Sequence, residues 1–222
     1  MRLQLVGAAG GAVFAVLALA AFALNPGPSS GDGVTVVEHY STHGTQTLWA
    51  TALVGLAAIG FLWFAETLAG ATRAGPLGVA GAAAMAALYL VAVGCWSLLG
   101  EIYGGVDPLT VTGEGFSDAH VLHVVGVGAA HMGNFAAAAF VGAATAAIFA
   151  SGLLPRWLAW AGVAVTAFRL VSALVEVAST EPWSDAVAIA GFLVFLGWVF
   201  VASVLFGAAV ARRPAPEPAA AP

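Results

Sequence analysis

The chain has 222 residues, 61% of them hydrophobic and 8% charged, with a net charge of −5 and a mean hydropathy of +0.99. A soluble domain carries about 25% charged residues, so this chain lacks the polar surface of a soluble globular protein, and its hydrophobicity excludes a disordered one. With no lysine and only six basic residues it is not a nucleic-acid binder either, and a small polytopic membrane protein remains.

A bilayer core of about 30 Å is crossed by about 20 apolar residues as helix. Long Ala/Leu/Val runs without strand alternation predict helices rather than a barrel. The expected fold is an all-α, six-helix transmembrane bundle forming one domain over residues 1–211. The first span covers Leu3–Leu24. Arg2 precedes it and Ala21-Phe-Ala23 has the form of a signal cleavage site. Its apolar stretch exceeds the roughly 7–15 residues of a signal core, so it is expected to stay as a span. Gly7 and Gly11 form a small-xxx-small face, expected to pack within the bundle; a homo-oligomer seam is the alternative.

Asn25-Pro-Gly-Pro28 breaks the chain. Residues 34–46 are expected to form a short outer surface helix with Val36, Val37 and Tyr40 on one face. The second span covers Leu48–Ala69 and the third Leu77–Leu99, separated by Arg73-Ala-Gly-Pro76. A polar stretch from Gly100 to Asp118 leads to the fourth span, His131–Ala150 with an extension back to His120, lined by Gly126, Gly128, Gly133 and Gly142. Trp157–Val177 and Ala186–Val210 complete the set, and the Pro/Ala-rich residues 212–222 are expected to be a disordered cytoplasmic tail.

Orientation follows from charge. With the N-terminus cytoplasmic, Arg2, Arg73, Arg156, Arg212 and Arg213 all fall inside. Nine acids then fall outside, from Asp32 and Glu38 to Glu181 and Asp185; Arg169, Glu66 and Glu217 break the pattern. Both termini are therefore expected in the cytoplasm. Trp49, Trp96, Trp183, Tyr40 and Tyr103 are expected as an outer aromatic belt, with Trp157 and Trp160 as the inner one. No repeat relates the first three spans to the last three, which gives an inverted-repeat transporter no support.

Two stretches carry a resemblance: Gly152-Leu-Leu-Pro-Arg-Trp-Leu-Ala-Trp160, and Val36-Val-Glu-His-Tyr-Ser-Thr-His43 followed by Leu62-Trp-Phe64. With the span count and loop lengths, they make the chain similar to a group of uncharacterised six-span bacterial integral membrane proteins, a domain of unknown function. The resemblance implies a fold and a bacterial cytoplasmic-membrane location, and no activity.

All five histidines lie towards the expected outer side. His39 and His43 are spaced i, i+4, and His120 and His123 i, i+3, spacings that put imidazoles on one helix face and suit a metal or haem. Asp118 and Glu101 are the acidic candidates for the same site. His131 stands about 12 Å beyond His123 along a helix, too far to share one ion with it. Cys95 is alone, which excludes an internal disulfide and a Cys-based metal site. No nucleophilic-triad, P-loop or dinucleotide pattern occurs.

Arg169 is the most informative residue. It lies about 20 Å up the fifth span, where a charge is costly unless paired. It is expected to face the bundle interior and bond to His131, Asn134 or Glu176; Ser172 and Glu176 share its face at i+3 and i+7. Glu66, in the inner half, is expected near the headgroups. The leading expectation is a non-enzymatic cell-membrane protein with an outward-facing polar binding or sensing pocket around Arg169. It needs no cofactor, and its expected partner is the lipid bilayer. One alternative is a small-anion or proton transporter. The other is an outer-face metal- or haem-binding protein using His120 and His123.

Overall fold

A computed structural model of the chain describes residues 2–25, 27, 28, 31–72, 75–179 and 182–212, and of Arg2 and Pro182 the backbone alone. From residue 213 on, the expected tail lies outside the described residues. Six helices follow one another: α1 (Arg2–Leu24), α2 (Gly33–Thr72), α3 (Pro76–Tyr103), α4 (Gly113–Ser151), α5 (Arg156–Ala178) and α6 (Pro182–Ala211), with a single 3-10 turn at Pro108–Thr110. All six are long and apolar enough to cross a membrane, and there is no strand among the described residues.

Local chemistry sets the boundaries. Pro76 opens α3, where its missing N–H costs nothing. Asp107 caps the 3-10 turn by accepting from the Leu109 N–H at 3.0 Å. Gly152 ends α4 in the left-handed region (φ 62°) and donates its N–H to the Ile148 carbonyl at 3.1 Å. Pro155 then leads into α5, giving a short reversal.

Each helix packs on its chain neighbours, α6 closes onto α1, and α2 also meets α4. α1 and α2 cross at Gly10 and Gly60, whose backbones touch: a Cβ on Gly10 would stand 2.5 Å from the Gly60 oxygen, and one on Gly60 2.8 Å from that of Gly10. Gly7 and Gly11 face Thr67 and Phe64 of α2, so the small-residue face of α1 is used inside the chain. The core holds an aromatic cluster in which Phe61 lies 4.8 Å from Phe14, 4.9 Å from Phe140 and 6.1 Å from Phe195, centroid to centroid. Trp198 joins it and donates its indole N–H to the Leu158 carbonyl at 3.1 Å.

Two helices overshoot the bilayer. α2 has 40 residues and α4 has 39, each about 60 Å long and so about twice the hydrocarbon thickness. The surplus lies at their N-terminal ends, beside the C-terminal end of α3. There Val36, Val37, Tyr40, Leu99, Tyr103 and Ala119 form a second small core, and the Tyr103 hydroxyl donates to the Gly115 carbonyl at 2.7 Å.

This corrects the expectation for residues 34–46. They are the first turns of α2 and not a separate surface helix, because nothing after Gly44 breaks the helix and Gly44 itself packs 2.8 Å (as an added Cβ) from the Gly100 oxygen. Tyr40 and Tyr103 are likewise buried in the second core rather than placed in an aromatic belt. Trp49, Trp183, Trp157 and Trp160 are exposed, as belt residues are.

Charge separates along the bundle. The five histidines and Asp32, Glu38, Glu101, Asp107, Glu114, Asp118 and Asp185 gather towards the overshooting end, which we call the histidine end. Arg2, Arg156 and Arg212 mark the opposite end by position. Glu66 is exposed on the flank of α2 in that second half. Arg73, Arg213, Glu181 and Glu217 lie outside the described residues.

Candidate functional site

Arg169 of α5 points into the bundle and is only 1% exposed, the largest fully buried side chain among the described residues. Its Nη2 donates to the Asn134 Oδ1 on α4 and, at 3.2 Å, to the Tyr89 hydroxyl on α3. The Tyr89 hydroxyl in turn donates to the same Asn134 oxygen at 2.7 Å. Asn134 Nδ2 donates to Glu176 Oε2 at 2.6 Å, and His131 Nε2 stands 3.8 Å from that carboxylate oxygen. One amide therefore bridges a buried cation and a buried carboxylate that do not touch each other.

The neighbours are shaped to this end. Gly133 has no side chain where the Tyr89 ring passes, so the ring reaches across to Asn134. Phe195 of α6 lies with its ring centroid 5.5 Å from the guanidinium carbon, a cation–π contact. Ser172, one turn above Arg169, donates to the Phe168 carbonyl at 2.9 Å and approaches the Val187 carbonyl of α6 at 3.4 Å. Gly191 permits this approach: a Cβ there would lie 2.5 Å from Ser172 Oγ and 3.5 Å from Arg169 Nη1.

The accounting of Arg169 is incomplete. Its Nε and Nη1 are buried and have no hydrogen-bond partner among the described residues. Together they carry three N–H donors. No carboxylate reaches the guanidinium directly among the described residues; Glu176 acts on it through Asn134. Buried donors left unpaired, on a group that stays charged, are costly, and such groups in native proteins call for an explanation. The site can offer a small anion a fixed cation, unpartnered N–H donors at Nε and Nη1 on different edges of the guanidinium, and an aromatic face.

Of the residues singled out from sequence, Arg169, Asn134, Glu176 and His131 are brought together, and Ser172 braces them. Tyr89, Phe195 and Gly191 were missed. Tyr89 carried a signal, a lone hydroxyl in the apolar run of α3; Phe195 and Gly191 carried none, since their roles depend on the register of α6 against α5.

The other histidines do different work. His39 Nε2 donates to Asn25 Oδ1 at 2.8 Å while Asn25 Nδ2 donates to Thr47 Oγ1, also at 2.8 Å. His43 donates from Nδ1 to the His39 carbonyl at 3.0 Å and its ring stacks on His39 with centroids 4.7 Å apart. His120 Nδ1 donates to the Gly31 carbonyl at 2.6 Å. These bonds clip the end of α1 and the connection after it onto α2 and α4. His123 lies beside Gly31, with its Nδ1 buried and unpartnered among the described residues.

His39 is nine residues before Leu48 and His123 eight before His131, so both stand about 12 Å or more outside the hydrocarbon region. Burial, then the neighbouring His43 and His123, hold the His39 imidazole below its ordinary value of 6.5. Burial and then His120 do the same to His123. Asp118 and Glu101 are exposed. No three His, Cys, Asp or Glu side chains are placed to hold a metal ion among the described residues.

Comparison with family models, with curated proteins and with solved structures finds no match to the chain. Fold and site by themselves define its class, a multi-pass helical membrane protein with a buried, incompletely bonded cation between α3, α4, α5 and α6.

Proposed function

We propose that this protein binds a small monovalent anion at Arg169, as a receptor or sensor rather than an enzyme, in the cytoplasmic membrane of a bacterium. The observation that carries this reading is the buried guanidinium with two unpartnered nitrogens. A membrane-embedded charge is expensive and marks a functional site by default. Close packing by Ser172, Gly191 and Phe195 limits the ligand to a few atoms.

The site lies towards the outer side in this reading. The arginines at the end opposite the histidines are the cytoplasmic ones, which puts both termini inside and the histidine end outside. Binding is favoured over passage, because the Phe14–Phe61–Phe140–Trp198 cluster fills the bundle on the arginine side of the site with apolar rings.

Thermal melting of the detergent-purified protein tests the reading. Replacing gluconate by chloride, nitrate or formate at constant ionic strength should raise the melting temperature by a few degrees, since a ligand at about 100 Kd adds about 2.7 kcal/mol. Arg169→Gln should abolish the response. The same response in both proteins would refute the reading.

A further inference from the structure

We infer that anion and proton binding at this site are coupled: the anion held by Arg169 enters together with one proton, which is taken up by the Glu176–His131 pair. The inference rests on the anion-binding reading and adds its regulation.

In the structure Arg169 and Glu176 are both removed from solvent, Arg169 at 1% exposure and the Glu176 side chain at 6%, and Asn134 bonds to both. Their charges sum to zero. An anion added at Nε or Nη1 leaves the buried cluster with one uncompensated negative charge, which a low-dielectric interior opposes strongly.

A proton removes that excess, and the geometry supplies two places for it. A neutral Glu176 still accepts the Asn134 N–H through its carbonyl oxygen. Alternatively His131, with Nε2 3.8 Å from Oε2, becomes an imidazolium paired with the carboxylate. The His131 side chain is 27% exposed, so of the pair it is the member nearer the molecular surface. One A⁻ and one H⁺ enter, and the charge of the cluster is unchanged.

No other titratable group competes for this role among the described residues around the pair. α4 supplies His131 and Asn134, α3 supplies Tyr89, and α5 supplies Arg169 and Ser172. α6 supplies Gly191, Phe195 and the Val187 carbonyl, and its Asp185 is exposed at the helix start. Glu181 lies outside the described residues. Linkage then fixes the size of the effect: one proton per anion makes affinity rise about tenfold for each unit fall in pH while the empty pair is unprotonated.

The test uses the full chain in detergent with chloride and formate as probes. Their dissociation constants should tighten as pH falls, by up to about tenfold per unit, and a pH dye in weak buffer should register up to about one proton taken up per anion bound. Glu176→Gln mimics the protonated acid and should bind tightly with no pH dependence. Glu66→Gln, on the lipid-facing flank of α2, should keep the wild-type slope.

Binding that needs Arg169 but has the same affinity throughout, without proton uptake, overturns the coupling and leaves the anion site standing. Absence of binding at every pH, or binding unchanged in Arg169→Gln, overturns both. Proton counting on the wild-type protein gives the answer even if Arg169→Gln does not fold.

Discussion

Asn134 holds the site together, because its single amide group serves three partners. Its oxygen takes hydrogens from Arg169 and Tyr89, and its nitrogen gives one to Glu176. Asn134→Ala strands a cation, a carboxylate and a hydroxyl in a dry interior, and the loss should be about 2–4 kcal/mol of stability, read by thermal or denaturant unfolding. Asn134→Asp is the sharper probe. It puts a carboxylate against Arg169 Nη2 and removes the N–H that Glu176 accepts, so the added negative charge should weaken chloride and formate binding. An Asn134→Asp variant that responds like wild type would mean that the guanidinium is not the anion receptor.

Arg169 was legible at this scale because a charge inside an apolar run has few options, and Asn134 and Glu176 lay within its reach by helix arithmetic. Tyr89 and Phe195 were not legible, since which faces of α3 and α6 turn towards α5 is set by packing that no spacing rule encodes.

At the scale of elements, the six apolar runs were readable because the bilayer fixes their length and every span shows it. What spacing could not reveal was how far α2 and α4 continue beyond the membrane. Hydropathy falls at the bilayer boundary whether the helix ends or goes on, and only the second core around Tyr40 and Tyr103 explains why these helices persist.

That projecting end carries a pH dependence. His39 and His123 are held below their ordinary value of 6.5, so the folded protein binds protons less readily there than the unfolded chain does. The stability they contribute is complete above about pH 6.5 and is lost as pH falls through their lowered values. Melting temperature should therefore drop on acidification below about pH 6.5, and the double variant His39→Gln/His123→Gln should flatten that drop. An unchanged drop in the double variant would place its origin elsewhere.

For the whole molecule, the separation of charge between the two ends links fold to orientation. In a Cys95→Ser background, Leu109→Cys at the exposed 3-10 turn should react with a membrane-impermeant maleimide on intact cells, and Arg212→Cys at the end of α6 should react only after the cells are opened. The reverse pattern would invert the bundle and turn the Arg169 site towards the cytoplasm. Helix number was written in composition, and the separation of acids and histidines from arginines along the bundle in their positions. The site was half written, because a buried charge is visible in sequence while its unsatisfied donors become visible only when every neighbour is in place.

The central claim is that an anion sits against the free side of the Arg169 guanidinium. A crystal of the protein grown or soaked in bromide tests it most directly through the anomalous scattering of the ion. The expected result is a bromide peak inside the bundle within hydrogen-bonding reach of Arg169 Nη1 or Nε, near Gly191 and Ser172, and absent from Arg169→Gln. Bromide confined to the protein surface, with those two nitrogens bonded to ordered water or to protein groups, would contradict it.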